Sequence, residues 1–168
     1  MDSRLRGNDR AGFSTLFDLH GGAWSNKDRF AEELMDRAVA ASGVLVVAID
    51  MTLAAEAPYP VCVQGANYGV RWLKSKAASW NGDSSLIGVY GSSSGGHVAE
   101  LLGMRPRAAH YNAIPLPVAP DIDATVTHIA TRSPIHPQPR LRRQGWCRTP
   151  TTNPLPALAV RAHPRRAR

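Results

Sequence analysis

Leu86-Ile87-Gly88-Val89-Tyr90-Gly91-Ser92-Ser93-Ser94-Gly95-Gly96-His97 is the stretch on which the fold turns. Leu86 to Tyr90 is mostly apolar and of strand length, Gly91 to Gly95 is a tight bend, and Ser94 to Leu102 reads as a helix. Gly91, Ser93 and Gly95 fit the pattern G-x-S-x-G. Five such residues are a weak signal alone, because Gly/Ser turns are common. A strand running straight into them and a helix leaving make a candidate nucleophile elbow. There the serine takes a strained backbone, so the residues two positions either side must be small. Ser93 is the serine in register. The N–H of Ser94, at the head of the next helix, is the first candidate donor to a developing oxyanion.

Working outward, Phe13 to Leu19 is a short, mostly apolar run that reads as a buried strand ending in a glycine turn, His20-Gly21-Gly22-Ala23-Trp24. Acyl transfer needs two or more N–H donors aimed at the tetrahedral oxyanion. A glycine-rich loop on a neighbouring strand can supply them. A dinucleotide site is the weaker reading, because G-x-G-x-x-G is absent. Asn26 can cap a helix running to about Ser42, with Phe30, Leu34, Ala38 and Ala41 on one apolar face and Gly43 as its stop. Val44 to Ile49 suits a strand covered on both faces. Met51 to Pro60 is a loop. Val63, Val70 and Leu73 mark a second helix ending near Trp80, and Asn81-Gly82-Asp83 is a turn. Ala124 to Ala130, with Val126 and Ile129, reads as a fourth strand. Strand and helix alternate throughout, which implies right-handed crossovers and a parallel sheet with helices on both faces.

Four pieces, in this order and spacing, give a specific resemblance: His20-Gly21-Gly22-Ala23-Trp24; Leu53-Ala54-Ala55-Glu56-Ala57-Pro58-Tyr59-Pro60; Val70-Arg71-Trp72-Leu73; and Gly91-Ser92-Ser93-Ser94-Gly95-Gly96-His97. Residues 13 to about 130 resemble the α/β-hydrolase fold, in the esterase branch that includes hormone-sensitive-lipase-like carboxylesterases and kynurenine-formamidase-like enzymes. The resemblance implies Ser93 as nucleophile and Gly22, Ala23 and Ser94 as oxyanion N–H donors. His20, Gly21, Gly91 and Gly95 would support the motifs. Two departures fall in polar supports. The family loop Tyr-Arg-Leu-Ala-Pro-Glu is here Met51-Thr52-Leu53-Ala54-Ala55-Glu56, and the family's Asp in the following helix is Gly65.

A serine hydroxyl needs a base, and the base an orienting acid. In this fold the order is Ser, then Asp or Glu, then His, each after a later strand. After Ser93 the candidates are Asp121, Asp123, His128, His136 and His163, all read as ordinary surface residues. His97 follows the elbow and His20 belongs to the oxyanion loop, so neither reads as the base. The first recognisable strand resembles the family's third. The expectation is a partial α/β-hydrolase, curtailed at both ends, with the triad acid and base lost.

Charge divides the chain in the same way. The whole carries 20 basic and 13 acidic side chains, a formal net charge of +7. Every acid lies before residue 131, and the last 38 residues hold nine Arg and seven of the 13 prolines. The expected organisation is an unstructured leader over 1–12, a partial hydrolase domain over 13–130, and an irregular, disordered Arg/Pro-rich tail over 131–168. Cys62 and Cys147 have no metal-ligand spacing. The run Val44 to Ile49 is too short to span a bilayer.

Three functions compete. The first is a serine hydrolase acting on small carboxylic esters or related acyl compounds. The second is a catalytically inactive remnant or binding module with the same pocket. The third is an electrostatic nucleic-acid or acidic-surface binder working through Arg132 to Arg168, set against by the lack of an aromatic platform. The partner expected is a small acyl substrate, with no specific nucleic acid, cofactor or metal. Self-association through exposed sheet edges and a cytoplasmic location complete the reading.

Overall fold

The computed structural model describes residues 12–132 and 161–162. Phe13–Leu19 forms β1, Glu33–Ala41 α1, Leu45–Ile49 β2, Val61–Lys76 α2, Gly82–Ser92 β3, Ser94–Met104 α3, His128–Arg132 β4 and Arg161–Ala162 β5. The sheet order is β4-β3-β1-β2-β5. β1 to β4 pair in parallel, and β5 pairs antiparallel with β2 through Val47–Ala162 and Ala48–Arg161. This is the α/β-hydrolase arrangement of a parallel sheet with crossover helices. β5 adds a short strand within the region expected to be irregular. The remainder of that tail, with His136 and His163, lies outside the described residues, as do residues 1–11.

The core sits on one face of the sheet. Alternation sends Phe17 and Leu19 of β1, Val47 and Ile49 of β2, and Ile87 and Val89 of β3 to that side. There they meet Val63, Ala66, Val70 and Leu73 of α2 and Val98, Ala99 and Leu102 of α3, all buried. The three-and-four spacing of the α2 set makes the stripe that the sequence marked. A single 3-10 turn, Ala77–Trp80, and a left-handed Asn81 (φ 58°) end the helix and start β3.

Three boundaries differ from expectation, each for a local reason. α1 begins at Glu33, not Asn26. Asp28 accepts a bond from the Phe30 N–H, and the Asp50 carboxylate binds both the Arg29 N–H (2.9 Å) and its guanidinium (2.7 Å), so this segment is held as turns. Its expected apolar face is not the buried one: Leu34 is 88% exposed and Phe30 44%, whereas Asp36 is buried at 2%. β3 starts at Gly82, four residues early, because the Phe13 N–H bonds the Asn81 carbonyl and draws that turn into the sheet. β4 starts at His128, not Ala124. Asp123 is fixed by Lys74 and Arg107, and Ala124 and Val126 pack on the core as irregular chain until Thr127 bonds the Ile87 carbonyl.

Candidate active site

β3 delivers Ser93 at the C-terminal end of the sheet, where parallel α/β folds place their ligands. Ser93 has φ 51° and ψ −113°, a conformation that L-residues avoid, immediately before α3. The surroundings enforce it. A Cβ on Gly91 would overlap the Gly95 carbonyl, and one on Gly95 would overlap the carbonyls of Leu19 and His20. The two ends of the turn are thus packed backbone to backbone, and only glycine fits. The Ser93 N–H donates to the Arg132 carbonyl (2.7 Å), so the last residue of β4 holds the strained peptide. The Ser93 carbonyl caps the start of α3 by accepting the Gly96 N–H at 3.0 Å. Ser94 is buried, its amide is among the leading N–H groups that a helix cannot satisfy internally, and its Oγ has no partner among the described residues.

The glycine loop of β1 lies alongside. A Cβ on Gly21 would stand 3.4 Å from the Ser93 Cβ. Gly22 (φ 112°), Ala23 (53°) and Trp24 (59°) are successive left-handed residues, closed by the Ser25 and Asn26 N–H groups on the Gly22 carbonyl. The amides of Gly22 and Ala23 donate to nothing among the described residues. Three contacts fix the loop to the segment after β2. The His20 Nε2 accepts the Met51 N–H (3.1 Å), the Ala54 N–H donates to the Trp24 carbonyl (2.6 Å), and Arg29 binds Asp50.

His20 has both ring nitrogens engaged. Since Nε2 accepts, Nδ1 carries the proton and donates to the Gly21 carbonyl at 2.7 Å. The ring is buried at 1% exposure. It positions the loop and has no lone pair left for a serine proton. The loop after β2 also stays ordered despite its departures. Glu56 accepts the Leu53 N–H at 2.8 Å, while Thr52, standing where the family loop has Arg, buries an Oγ1 with no partner among the described residues.

The residues considered for the triad do not assemble. Asp123 is bridged to Lys74 (3.3 Å) and Arg107 (2.7 Å), and those bonds hold its carboxyl below the ordinary range although burial pushes the other way. Asp121 and His128 are exposed. His97 is exposed and its ring lies 5.5 Å from that of Trp24. His110, not singled out from the sequence, packs on Tyr111 at 4.0 Å. Among the described residues no imidazole is hydrogen-bonded to the Ser93 Oγ.

A strained serine at a strand-to-helix turn thus stands beside a glycine loop in which the Gly22 and Ala23 amides donate to nothing among the described residues. The BD-FAE family model matches residues 1–132. The chain belongs to the BD-FAE family. Carboxylesterase NlhH of Mycobacterium tuberculosis is 35% identical to it over 89 residues, 52% of this chain and 28% of the relative. Esterase LipI of the same species is 31% identical over 101 residues, 59% of this chain and 31% of the relative. The chain therefore spans less than a third of either relative's length. The fold of this BD-FAE member matches a thermophilic esterase of Thermogutta terrifontis, Est2 with butyrate bound, at a TM-score of 0.60 and 21% identity. That likeness covers 73% of this chain and 43% of the other.

Sequence reasoning missed one feature of this region. Asp18, two residues before His20, is buried at 1% exposure and its carboxyl oxygens have no partner among the described residues. The run Phe13 to Leu19 reads as a mostly apolar buried strand and gives no sign that its one acid faces inward. Among the described residues no group of three or more His, Cys, Asp or Glu could hold a metal. No described helix is long and apolar enough to cross a membrane.

Proposed function

We propose that this chain carries the nucleophile and oxyanion hole of a serine carboxylic ester hydrolase acting on small esters or related acyl compounds. The carrying observation is the backbone of Ser93, held at φ 51° and ψ −113° between β3 and α3. Strain of this kind persists only where surroundings over-determine it, and here it presents a hydroxyl at the head of a helix. The Ser93 Oγ attacks the substrate carbonyl, the tetrahedral intermediate collapses with cleavage of the ester C–O bond and release of the alcohol carrying the serine's proton, and water then hydrolyses the acyl-enzyme to the acid and free Ser93. The amides of Gly22, Ala23 and Ser94 hold the oxyanion, a contribution of about 3–4 kcal/mol per donor in related chemistry. The esterase names of the relatives support the substrate class.

Turnover needs a base to take the serine proton. His20 has no free nitrogen, and no described imidazole bonds Ser93. That favours a second reading, in which the pocket binds acyl compounds without hydrolysing them. A fluorophosphonate probe separates the two. Labelling at Ser93 that is lost in Ser93→Ala supports the hydrolase. A chain that never labels, yet binds a short-chain ester ligand in calorimetry, is a binding module.

A further inference from the structure

The glycine loop after β1 and the helix that starts at the nucleophile meet through a pair of rings. The Trp24 indole and the His97 imidazole have centroids 5.5 Å apart and planes tilted by 43°, the spacing of paired aromatic rings. Trp24 closes the run of left-handed residues Gly22, Ala23 and Trp24. His97 lies one turn into α3, where its N–H donates to the Ser93 carbonyl at 3.4 Å. The contact therefore joins the far end of the loop to the first turn after Ser93.

The two ends of the loop are held differently. Its base is packed on the elbow, because a Cβ on Gly95 would overlap the Leu19 and His20 carbonyls. Its tip carries strain. A φ of 53° at Ala23 and 59° at Trp24 is a conformation that residues with a Cβ avoid, and it persists only where the surroundings impose it. The Ser25 and Asn26 N–H groups and the Ser25 Oγ all donate to the Gly22 carbonyl, so those bonds are internal to the loop. Ala23 is exposed, and its methyl group offers little to pack. Trp24 reaches outside the loop in two directions. Its carbonyl accepts the Ala54 N–H at 2.6 Å on the β2 side, and its ring meets His97 on the α3 side.

We propose that Trp24 and His97 are positioning residues, an aromatic latch that sets the Gly22 and Ala23 amides against Ser93. The consequence for ester cleavage rests on the esterase reading. Those amides belong to successive peptides that end at Trp24, so a tip that relaxes moves both donors together. Oxyanion donors act only when aimed at the developing charge, and rate is sensitive to small misplacements. His97 works here by the shape of its ring and not by its proton, so a ring without nitrogens can replace it.

The test is a double-mutant cycle on the full chain with two readouts. One is the rate of fluorophosphonate labelling at Ser93. The other is amide exchange at Asn26 and Ala54, whose bonds to the Gly22 and Trp24 carbonyls report the shape of the loop. His97→Ala and Trp24→Leu should each slow labelling about two- to tenfold, at saturating probe and without a change in probe affinity. Each should speed exchange at Asn26 and Ala54 and leave the core amides of α2 unchanged. The double variant should be no slower than the slower single one. His97→Phe keeps a ring and should label within about twofold of wild type. Additive losses in the double variant would overturn the latch. So would a loss in His97→Phe equal to that in His97→Ala, which would make the imidazole proton the working part. If Trp24→Leu fails to fold, the two variants of the exposed His97 decide. If wild type never labels, the esterase reading fails and exchange alone judges the latch: unchanged protection at Asn26 and Ala54 in His97→Ala overturns it, and lost protection restored in His97→Phe supports it.

Discussion

Phe17 and Asp18 are neighbours on β1 and point to opposite faces of the same sheet. Phe17 enters a continuous apolar layer formed with α2 and α3; Asp18 is buried on the other face with no hydrogen-bond partner for its carboxyl among the described residues. The layer under α2 and α3 is held by area removed from water and by close packing. The layer on the α1 side has less apolar area to offer, since Leu34 and Phe30 look outward and an acid, Asp36, is buried instead. The elbow at Ser93 rests on α3 and the well-packed side, whereas the His20–Trp24 loop leads into α1.

The sharpest way to break this comparison is to change the two neighbours separately. Phe17→Ala should destabilise by about 3–5 kcal/mol, the cost of deleting a fully buried aromatic from a packed core. Asp18→Asn should have the opposite sign above neutral pH, raising stability by about 1–3 kcal/mol, because it removes an ionisable group buried without a partner. Urea titration at pH 8 measures both. If Asp18→Asn also destabilised there, the two faces would be equally dependent on their native side chains.

A somewhat smaller effect is expected at Arg71, which extends the well-packed side into the chain after α3. Its guanidinium, buried at 3% exposure, donates to the Asn67 side chain (2.8 Å) and the Ile114 carbonyl (2.6 Å). Arg71→Met keeps the stem and removes both bonds, at a cost of about 1–3 kcal/mol for the partners left unpaired. Amide exchange should rise over residues 105–127 and stay unchanged in α1. Equal loosening of α1 would show that the faces are mechanically one unit.

The sequence made the α2–α3 side readable and the α1 side misleading, for a physical reason. α2 shows its buried stripe as Val63, Ala66, Val70 and Leu73, and periodicity detects such stripes. α1 buries Asp36, which no apolar pattern can reveal, and the available apolar residues suggested the wrong face. The elbow was legible because glycine at positions 91 and 95 reports a backbone approach that admits no Cβ. The role of His20 was half legible. Its place in the loop is in the motif, but the bond to the Met51 N–H joins residues 31 apart and needs the fold. The anchoring of Ser93 by the Arg132 carbonyl is likewise a main-chain bond that no side-chain pattern encodes.

His20→Ala tests whether the loop borrows rigidity from β2. Without the ring, the Met51 N–H and the Gly21 carbonyl lose their partners in a buried setting. Stability should fall by about 1–2 kcal/mol, and fluorophosphonate labelling of Ser93 should slow more than that loss alone explains. His20→Asn, able to restore only one of the two bonds, should lie between. Labelling at the wild-type rate in both variants would mean that the loop holds its shape without the ring.

The smallest stability effect is expected at β4, which ends the sheet among the described residues. Every residue of β4 from His128 to Arg132 is exposed, while β2 at the other side of the sheet is buried along its length and is flanked by β5. Among the described residues no strand pairs with the outer side of β4, and such an edge offers its N–H and C=O groups to another chain, so association of copies there is the expected outcome to test. Ala130→Lys places a charge on the exposed edge, on the α1 side of the sheet, without touching the core. It should change stability by no more than about 0.5 kcal/mol. In sedimentation velocity it should shift the population from associated species to monomer. Because the Arg132 carbonyl of the same strand holds the Ser93 N–H, pairing at this edge would also stiffen the elbow. Dilution of the wild type into monomer should then raise amide exchange at Ser93, and a wild type that is monomeric at every concentration would remove β4 from the comparison.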